Sequence, residues 1–272
     1  MNRNDIYDSI TDKITAKLES GVIPWRLSWQ RNIPCNFVTK KHYNGINFLS
    51  LIAEDYSSPY YLTYLQCNER GGKILEGSKG SLIVFWKMHN FTPKSETDAG
   101  AKVPILRYSY AFNLSQTTLY TDNTDEIKLL ECEEVIRNIF PTPVIKHNIN
   151  RCYYSIQEDY ISIPIITDFD NPAEYYSSLY HELIHWTAAA SRLKRDLSPA
   201  SKIEEELIAE IGSAYLCGLS GINTPVLENQ SAYINGWLNQ SRSDNNIFIK
   251  ASLQARKAVD YLLSGLNEPN LT

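Results

Sequence analysis

The chain has 272 residues, 43% hydrophobic and 21% charged, the balance of an ordinary globular protein with material for about two domains. Its net charge of −5 is uneven: residues 1–125 carry 14 Lys+Arg against 12 Asp+Glu, the remainder 12 against 19, so the front half tolerates nucleic acid and the acidic rear suits a cation. No apolar run spans a bilayer, the polar MNRNDIYDSITDKI start is no signal peptide, and five scattered cysteines form neither a Cys-x-x-Cys knuckle nor a plausible disulfide framework, so a cytoplasmic protein with no membrane partner is expected.

In chain order, Ile6, Ile10, Ile14 and Leu18 recur every four residues and predict an amphipathic helix over residues 4–20, ended by Gly21. Residues 22–47 read as a loop in which aromatic and basic side chains interleave, Trp25, Trp29, Phe37 and Tyr43 with Arg26, Arg31, Lys40 and Lys41. Phe48 to Ala53 is expected to be helical. Tyr60 to Tyr64 suits a strand, and Thr63 can cap a short helix through Glu69. Ser81 to Trp86 is a strand, returning at Ile105 to Asn113 after a polar hairpin loop at 89–104. Thr117 to Asp125 reads as a linker. The expected division is therefore 1–122 and 123–272.

The second half opens with a helix predicted from about Asp125 to Asn138, broken by Pro141 and Pro143. Short strands follow at Val144–Lys146, Cys152–Ile156 and Tyr160–Ile163. Asn171-Pro172 with Glu174 forms a helix start with a capping box, and the helix is expected to reach about Ala190. A second capping box, Ser201 with Glu204, opens a helix running to Gly218. Ser231 to Leu266 has helical spacing and should pack over these two helices.

The chemistry lies in His181-Glu182-Leu183-Ile184-His185. Two histidines four apart leave the same helical face, the spacing that offers two imidazole nitrogens to one Zn²⁺. Glu182, about 100° round the helix, can serve as the base without being a ligand. Ala188 and Ser191 stand where an extended H-E-x-x-H-x-x-G-x-x-H class would need Gly and His, which excludes that class. The third ligand is expected from the acidic helix, at Glu206, with Glu205 as the close alternative. Glu210, one turn on, is placed to hold an imidazole N–H from behind. His42, His89 and His147 are each isolated in sequence.

These residues resemble the ArdC-type antirestriction proteins of plasmids and conjugative elements, which are related to the N-terminal part of TraC-type primases. In the front half the resemblance rests on Leu18-Glu19-x-Gly21-Val22-x-Pro24-Trp25, Pro34-x-Asn36, Tyr43-x-Gly45-x-Asn47, Leu62-Thr63-Tyr64-x-Gln66 and Gly77-x-Lys79-Gly80. In the rear half it rests on the histidine helix, Arg192-Leu193-x-Arg195 and Glu205 to Glu210. Glu76 departs from it, standing where the family usually carries a basic residue. The resemblance implies an α+β protein of two domains: an N-terminal α/β domain that binds single-stranded DNA, and a C-terminal zincin-like, gluzincin-type helical domain with a small sheet. It also implies protection of incoming DNA from restriction.

The resulting expectation is a zinc site of His181, His185 and Glu206, with Glu182 catalytic and Glu210 behind the ligands. A protein would be its substrate if it cleaves. Single-stranded DNA is the expected partner of the front half, with Arg26, Lys40, Lys41, Tyr43 and Lys79 the candidate contacts, because single strands are held by stacking and by cations. The competing reading is a non-catalytic DNA-binding protein whose zinc is structural.

Overall fold

The computed structural model describes residues 2–26, 33–54, 56, 58–90, 102–121, 129–147, 151–222 and 230–266; Trp29 and Arg31 lie outside them. Helix α1 (Arg3–Glu19) starts at a reciprocal Asn2–Asp5 capping box and buries Ile6, Ile10, Ile14 and Leu18 along one stripe. After it come β1 (Cys35–Asn36), α2 (Gly45–Ile52), β2 (Tyr60–Thr63) and α3 (Tyr64–Glu69). Thr63 caps α3, accepting from Gln66 N, while the Gln66 side chain returns to the Thr63 N–H. The hairpin strands β3 (Ser81–Asn90) and β4 (Lys102–Asn113) are longer than alternation predicts. Backbone pairing continues through polar positions such as Asn90 and Lys102, which sequence placed in the loop.

The first sheet has the order β1-β2-β4-β3, with β1 parallel to β2 and the rest antiparallel. Its β3 edge is closed by α2. The Asn47 side-chain amide donates to Val84 O and accepts from Val84 N, and Ser50 Oγ donates to Leu82 O. These side chains satisfy backbone groups that would otherwise template another strand.

In the second half, α4 (Cys132–Arg137) is shorter than predicted; the expected start at Asp125 falls outside the described residues, and 129–131 are not helical. Strands β5 (Val144–Lys146), β6 (Tyr153–Ser155) and β7 (Tyr160–Ser162) form a small sheet in the order β5-β7-β6. Helices α5 (Pro172–Trp186), α6 (Lys202–Ser220), α7 (Gln230–Ser243) and α8 (Ile247–Leu262) complete the fold, α8 packing against both α5 and α6.

Three helix ends differ from expectation. Helix α5 stops at Trp186 rather than near Ala190, because Thr187 Oγ1 and Arg195 Nη2 both donate to the Ile184 carbonyl and draw the chain off the helix. At its start Asn171 caps Glu174 N, but the Glu174 carboxylate answers the Asn171 side chain rather than its backbone, so only half of the box forms. Ser201 caps nothing: its hydroxyl is held by Asp196, and α6 is entered through the 3-10 turn Pro199–Ser201.

One apolar cluster runs through both halves. It joins the α1 stripe to α7 and α8 and includes Trp25, whose ring lies 5.5 Å from that of Trp237 and 6.3 Å from Phe248. Trp25 is thus a core anchor. Within this cluster α5 and α6 approach closely at Gly212, where a Cβ would lie 2.7 Å from Ile184 Cδ1. Gly212→Ala is therefore expected to cost about 1–3 kcal/mol by overpacking, read as a fall in the midpoint of urea unfolding.

Candidate metal centre

The functional side chains stand on two rigid helices. On α5, one turn separates His181 from His185, and both imidazoles enter a cleft of about 1020 Å³. Helix α6 packs against α5 and presents Glu205, Glu206 and Glu210 to the same cleft. The two Nε2 atoms lie 3.1 Å apart, and Glu206 Oε2 lies 3.5 Å from that of His181 and 3.8 Å from that of His185.

The other imidazole nitrogens face outward. Nδ1 of His185 is 3.1 Å from Glu205 Oε1, and Nδ1 of His181 is 3.4 Å from Glu210 Oε1. Glu205 is itself gripped by Arg195, whose Nε and Nη2 donate to its two oxygens at 2.9 and 2.7 Å. Arg195 is fixed in turn by Thr187 Oγ1 and the Ile184 carbonyl, so the end of α5 sets the angle of the guanidinium. Of the two glutamates that sequence left open as third donor, Glu206 is the one facing both Nε2 atoms. Glu205 is occupied behind His185.

Burial alone would drive protons off both imidazoles. Contacts with Glu206 and Glu210 reverse this for His181 and raise it well above its ordinary value; Glu205 and Glu206 raise His185 to about 9. Burial would push the Glu206 carboxyl up, but the imidazoles hold it far below the usual carboxylate range, and Arg195 with His185 lowers that of Glu205 against its burial. Glu182, buried in the cleft wall, adds negative potential that favours the charged form of both histidines. Four carboxylates thus converge on two imidazoles, with Arg195 paired to one of them and Arg151 and Lys202 on the cleft lining, an arrangement that suits a cation between the imidazoles.

The donor set fits one. Ligands about 2.0–2.1 Å from a tetrahedral ion stand roughly 3.4 Å from one another. The three separations here are 3.1, 3.5 and 3.8 Å. Among the described residues, His181, His185 and Glu206 are the group whose donor atoms come together in this way.

The cleft is walled on one side by β6, an edge strand of its sheet, through Tyr153 and Tyr154. Arg192 secures that wall. It donates to Tyr154 Oη and Asp159 while its guanidinium covers the Trp186 ring at 3.9 Å. From α7, Tyr233 closes the other side, near enough for Glu206, Glu210 and Glu182 to add to the upward push of burial on its hydroxyl. Neither Tyr233 nor the clamp of Arg195 on Glu205 emerged from sequence; both depend on how the helices are set against one another.

The candidate DNA contacts do not form one cluster. Lys40, Lys41 and Tyr43 share the turn after β1, where Lys40 has a left-handed φ of 58° and holds its ammonium over the rings of Phe37 and Tyr60. Tyr43 is half-buried and its hydroxyl accepts from Asn36 Nδ2. Lys79 is exposed at the entry to β3, and Arg26 follows the buried Trp25 with Nε and Nη2 turned inward.

Residues 4–116 match the model of the N-terminal domain of anti-restriction factor ArdC, and residues 130–254 match that of the zincin-like metallopeptidases. The crystal structure of antirestriction protein ArdC from the R388 plasmid, in its metal-free form, superposes with a TM-score of 0.79 and 33% identity, covering 96% of this chain and 97% of that one. The chain belongs to the ArdC antirestriction family. The Mn(II)-bound form of R388 ArdC superposes with a TM-score of 0.77 and 32% identity over 97% of this chain and 98% of that one. Beyond it, y4eC of Sinorhizobium fredii, an uncharacterized protein, is 30% identical over 95% of this chain and 91% of its own length. A DNA primase TraC of Escherichia coli is 27% identical over 96% of this chain, which spans only 27% of that protein. The fold is accordingly the α+β arrangement of this family, with a zincin-like C-terminal part. No helix among the described residues is long and apolar enough to cross a membrane.

Proposed function

We propose that this ArdC-family chain binds single-stranded DNA through its first half and hydrolyses peptide bonds at a zinc centre in its second. The observation that carries the second part is the meeting of two Nε2 atoms and one carboxylate oxygen at ligand-like separations inside a wide cleft, with Glu182 beside them. His181, His185 and Glu206 are the ligands. Two imidazoles and one carboxylate favour zinc, and the Mn(II)-bound form of R388 ArdC supports a divalent ion in such a site.

When bound, the ion supplies Lewis-acid activation of water and of the scissile carbonyl. Glu205, locked by Arg195, and Glu210 hold the outward Nδ1 positions and so orient the rings. The Glu182 carboxylate accepts the proton of the attacking water and delivers it to the departing amide nitrogen. The Tyr233 hydroxyl is one donor that the described residues offer across the cleft. Among the described residues β6 is an edge strand, a position at which an extended peptide can add as a further strand with Tyr153 and Tyr154 beside it.

The test is hydrolysis of casein and of a DNA-bound protein by the intact chain. Chelation should abolish cleavage and one equivalent of zinc should restore it. Intact ssDNA binding without any cleavage would instead favour the non-catalytic reading, in which zinc only scaffolds the fold. For the first half, log Kd for an oligonucleotide should rise linearly with log salt. Lys40/Lys41→Ala should lower that slope by roughly 1.4 if both touch phosphate. An unchanged slope would remove the turn after β1 from the contact surface.

A further inference from the structure

Beyond the core, the β3–β4 hairpin carries large aromatic side chains into solvent. Antiparallel register places Val84 opposite Tyr108, Leu82 opposite Tyr110 and Trp86 opposite Leu106, so all six share one face. At the inner end Leu82 and Val84 are buried in the main core. Opposite them on β4 the cover is incomplete, Tyr110 being 46% and Tyr108 39% exposed, and one step further out on β3 Trp86 is 55% exposed. A contiguous patch of this kind on a soluble chain marks an interaction surface rather than a scatter of surface residues. Next to it a Cβ on Gly80 would lie 2.8 Å from the Tyr110 Cβ and 3.1 Å from the Phe112 ring, so a glycine here lets the aromatic row lie directly on the strand.

The charge on the strands that carry the patch has one sign. The four strands of this sheet carry Lys87, Lys102 and Arg107 and no carboxylate, although the chain as a whole is acidic. Arg107 and Lys87 are exposed on the other face of the same hairpin, since each is next in sequence to a residue of the aromatic face. Exposed rings on one face of a hairpin whose strands carry only cationic charge suit a polyanion that stacks its bases on the rings and wraps its backbone round the edge. A protein partner would be met as well by leucine or valine and would give no reason to exclude carboxylates.

The spacing favours a single strand. Tyr108 and Tyr110 are two residues apart on β4, about 6.8 Å along the strand, roughly twice the 3.4 Å rise of stacked bases. Their ring centroids are 6.2 Å apart with the planes at 86°, an edge-to-face pair that holds the two exposed rings in fixed orientation for a base to stack on. A duplex keeps its bases stacked and cannot open them to this surface.

We infer that the exposed face of the β3–β4 hairpin, built on Tyr108, Tyr110 and Trp86, is the stacking platform for single-stranded DNA. This rests on the reading that the first half binds single-stranded DNA, and it moves the centre of that contact from the turn after β1 to the hairpin. Lys40 already holds its ammonium over two rings of its own turn, which leaves it a supporting role.

The full-length protein is titrated against a fluorescein-labelled twenty-nucleotide oligothymidylate, followed by anisotropy, with the matching duplex as competitor. Wild type is expected to bind the single strand and prefer it to the duplex. Tyr108→Ala/Tyr110→Ala should weaken binding by about ten-fold or more, and Trp86→Ala likewise, whereas Tyr108→Phe/Tyr110→Phe keeps the ring faces and stays within about two-fold. Because these side chains are exposed, an unchanged melting temperature will show that the alanine variants fold. Wild-type binding with undiminished affinity in Tyr108→Ala/Tyr110→Ala overturns the platform and leaves the reading of the first half standing. No wild-type binding to the oligonucleotide overturns both.

Discussion

Glu182→Gln is expected to leave the protein with its full equivalent of zinc and to lower proteolytic turnover by about 10²–10⁴-fold. The substitution keeps the size of a buried side chain in the cleft wall and removes only its ability to take a proton. His181→Ala should behave in the opposite order: metal content after gentle purification drops below half an equivalent, and cleavage disappears with it. The contrast matters because His181 faces both Glu206 and Glu210, so its loss removes one donor and strands a buried carboxylate. Elemental analysis of the two variants, paired with casein cleavage, checks both. Zinc retained at wild-type level by His181→Ala would remove it as a ligand. Cleavage retained by Glu182→Gln would remove proton transfer at this carboxylate from the reaction. In the second case, antirestriction tested with the same variant asks whether cleavage is needed for protection at all.

The histidine helix was legible because helical spacing is local: four residues place His181 and His185 on one face whatever else the chain does. Asn171-Pro172 announced its start for the same reason. The presence of three short strands in the second half and of the short helix capped at Thr63 also follows from neighbouring residues alone, whereas the sheet order β5-β7-β6 does not. The three consecutive glutamates on α6 were harder. At 100° per residue, Glu204, Glu205 and Glu206 sweep more than half the helix, and only the approach of α6 to α5 decides which meets a nitrogen and which meets an arginine. The close approach at Gly212 brings Ile184 of α5 against α6; the two residues lie on separate helices and meet only in the fold. The false cap at Ser201 shows the converse. The residue types of a capping box were present, but Asp196 competes for the hydroxyl. Alternation marks the aromatic row of the hairpin as strand and cannot reveal where the cover on a sheet face ends.

Removing Arg195 is expected to be the most damaging single change away from the ligands themselves. Its side chain is 4% exposed and that of Glu205 7%, and the two form a forked pair reinforced by Thr187 Oγ1 and the Ile184 carbonyl. Arg195→Ala leaves a carboxylate buried without its main partner, a change that typically costs about 3–5 kcal/mol. It also frees Glu205 to turn away from Nδ1 of His185, so zinc affinity should fall by about 10–100-fold. The two effects separate in a second variant. Arg195→Met/Glu205→Leu removes both charges and fills their space, and should regain much of the lost stability, because the unpaired charge is what destabilises. It cannot restore the support behind His185, so its zinc affinity should stay low. Urea unfolding of the metal-free proteins and zinc competition against a chromophoric chelator measure the two quantities independently. Recovery of both together would mean that the pair acts only through stability, and that the orientation of His185 is held by packing on α5 rather than by Glu205.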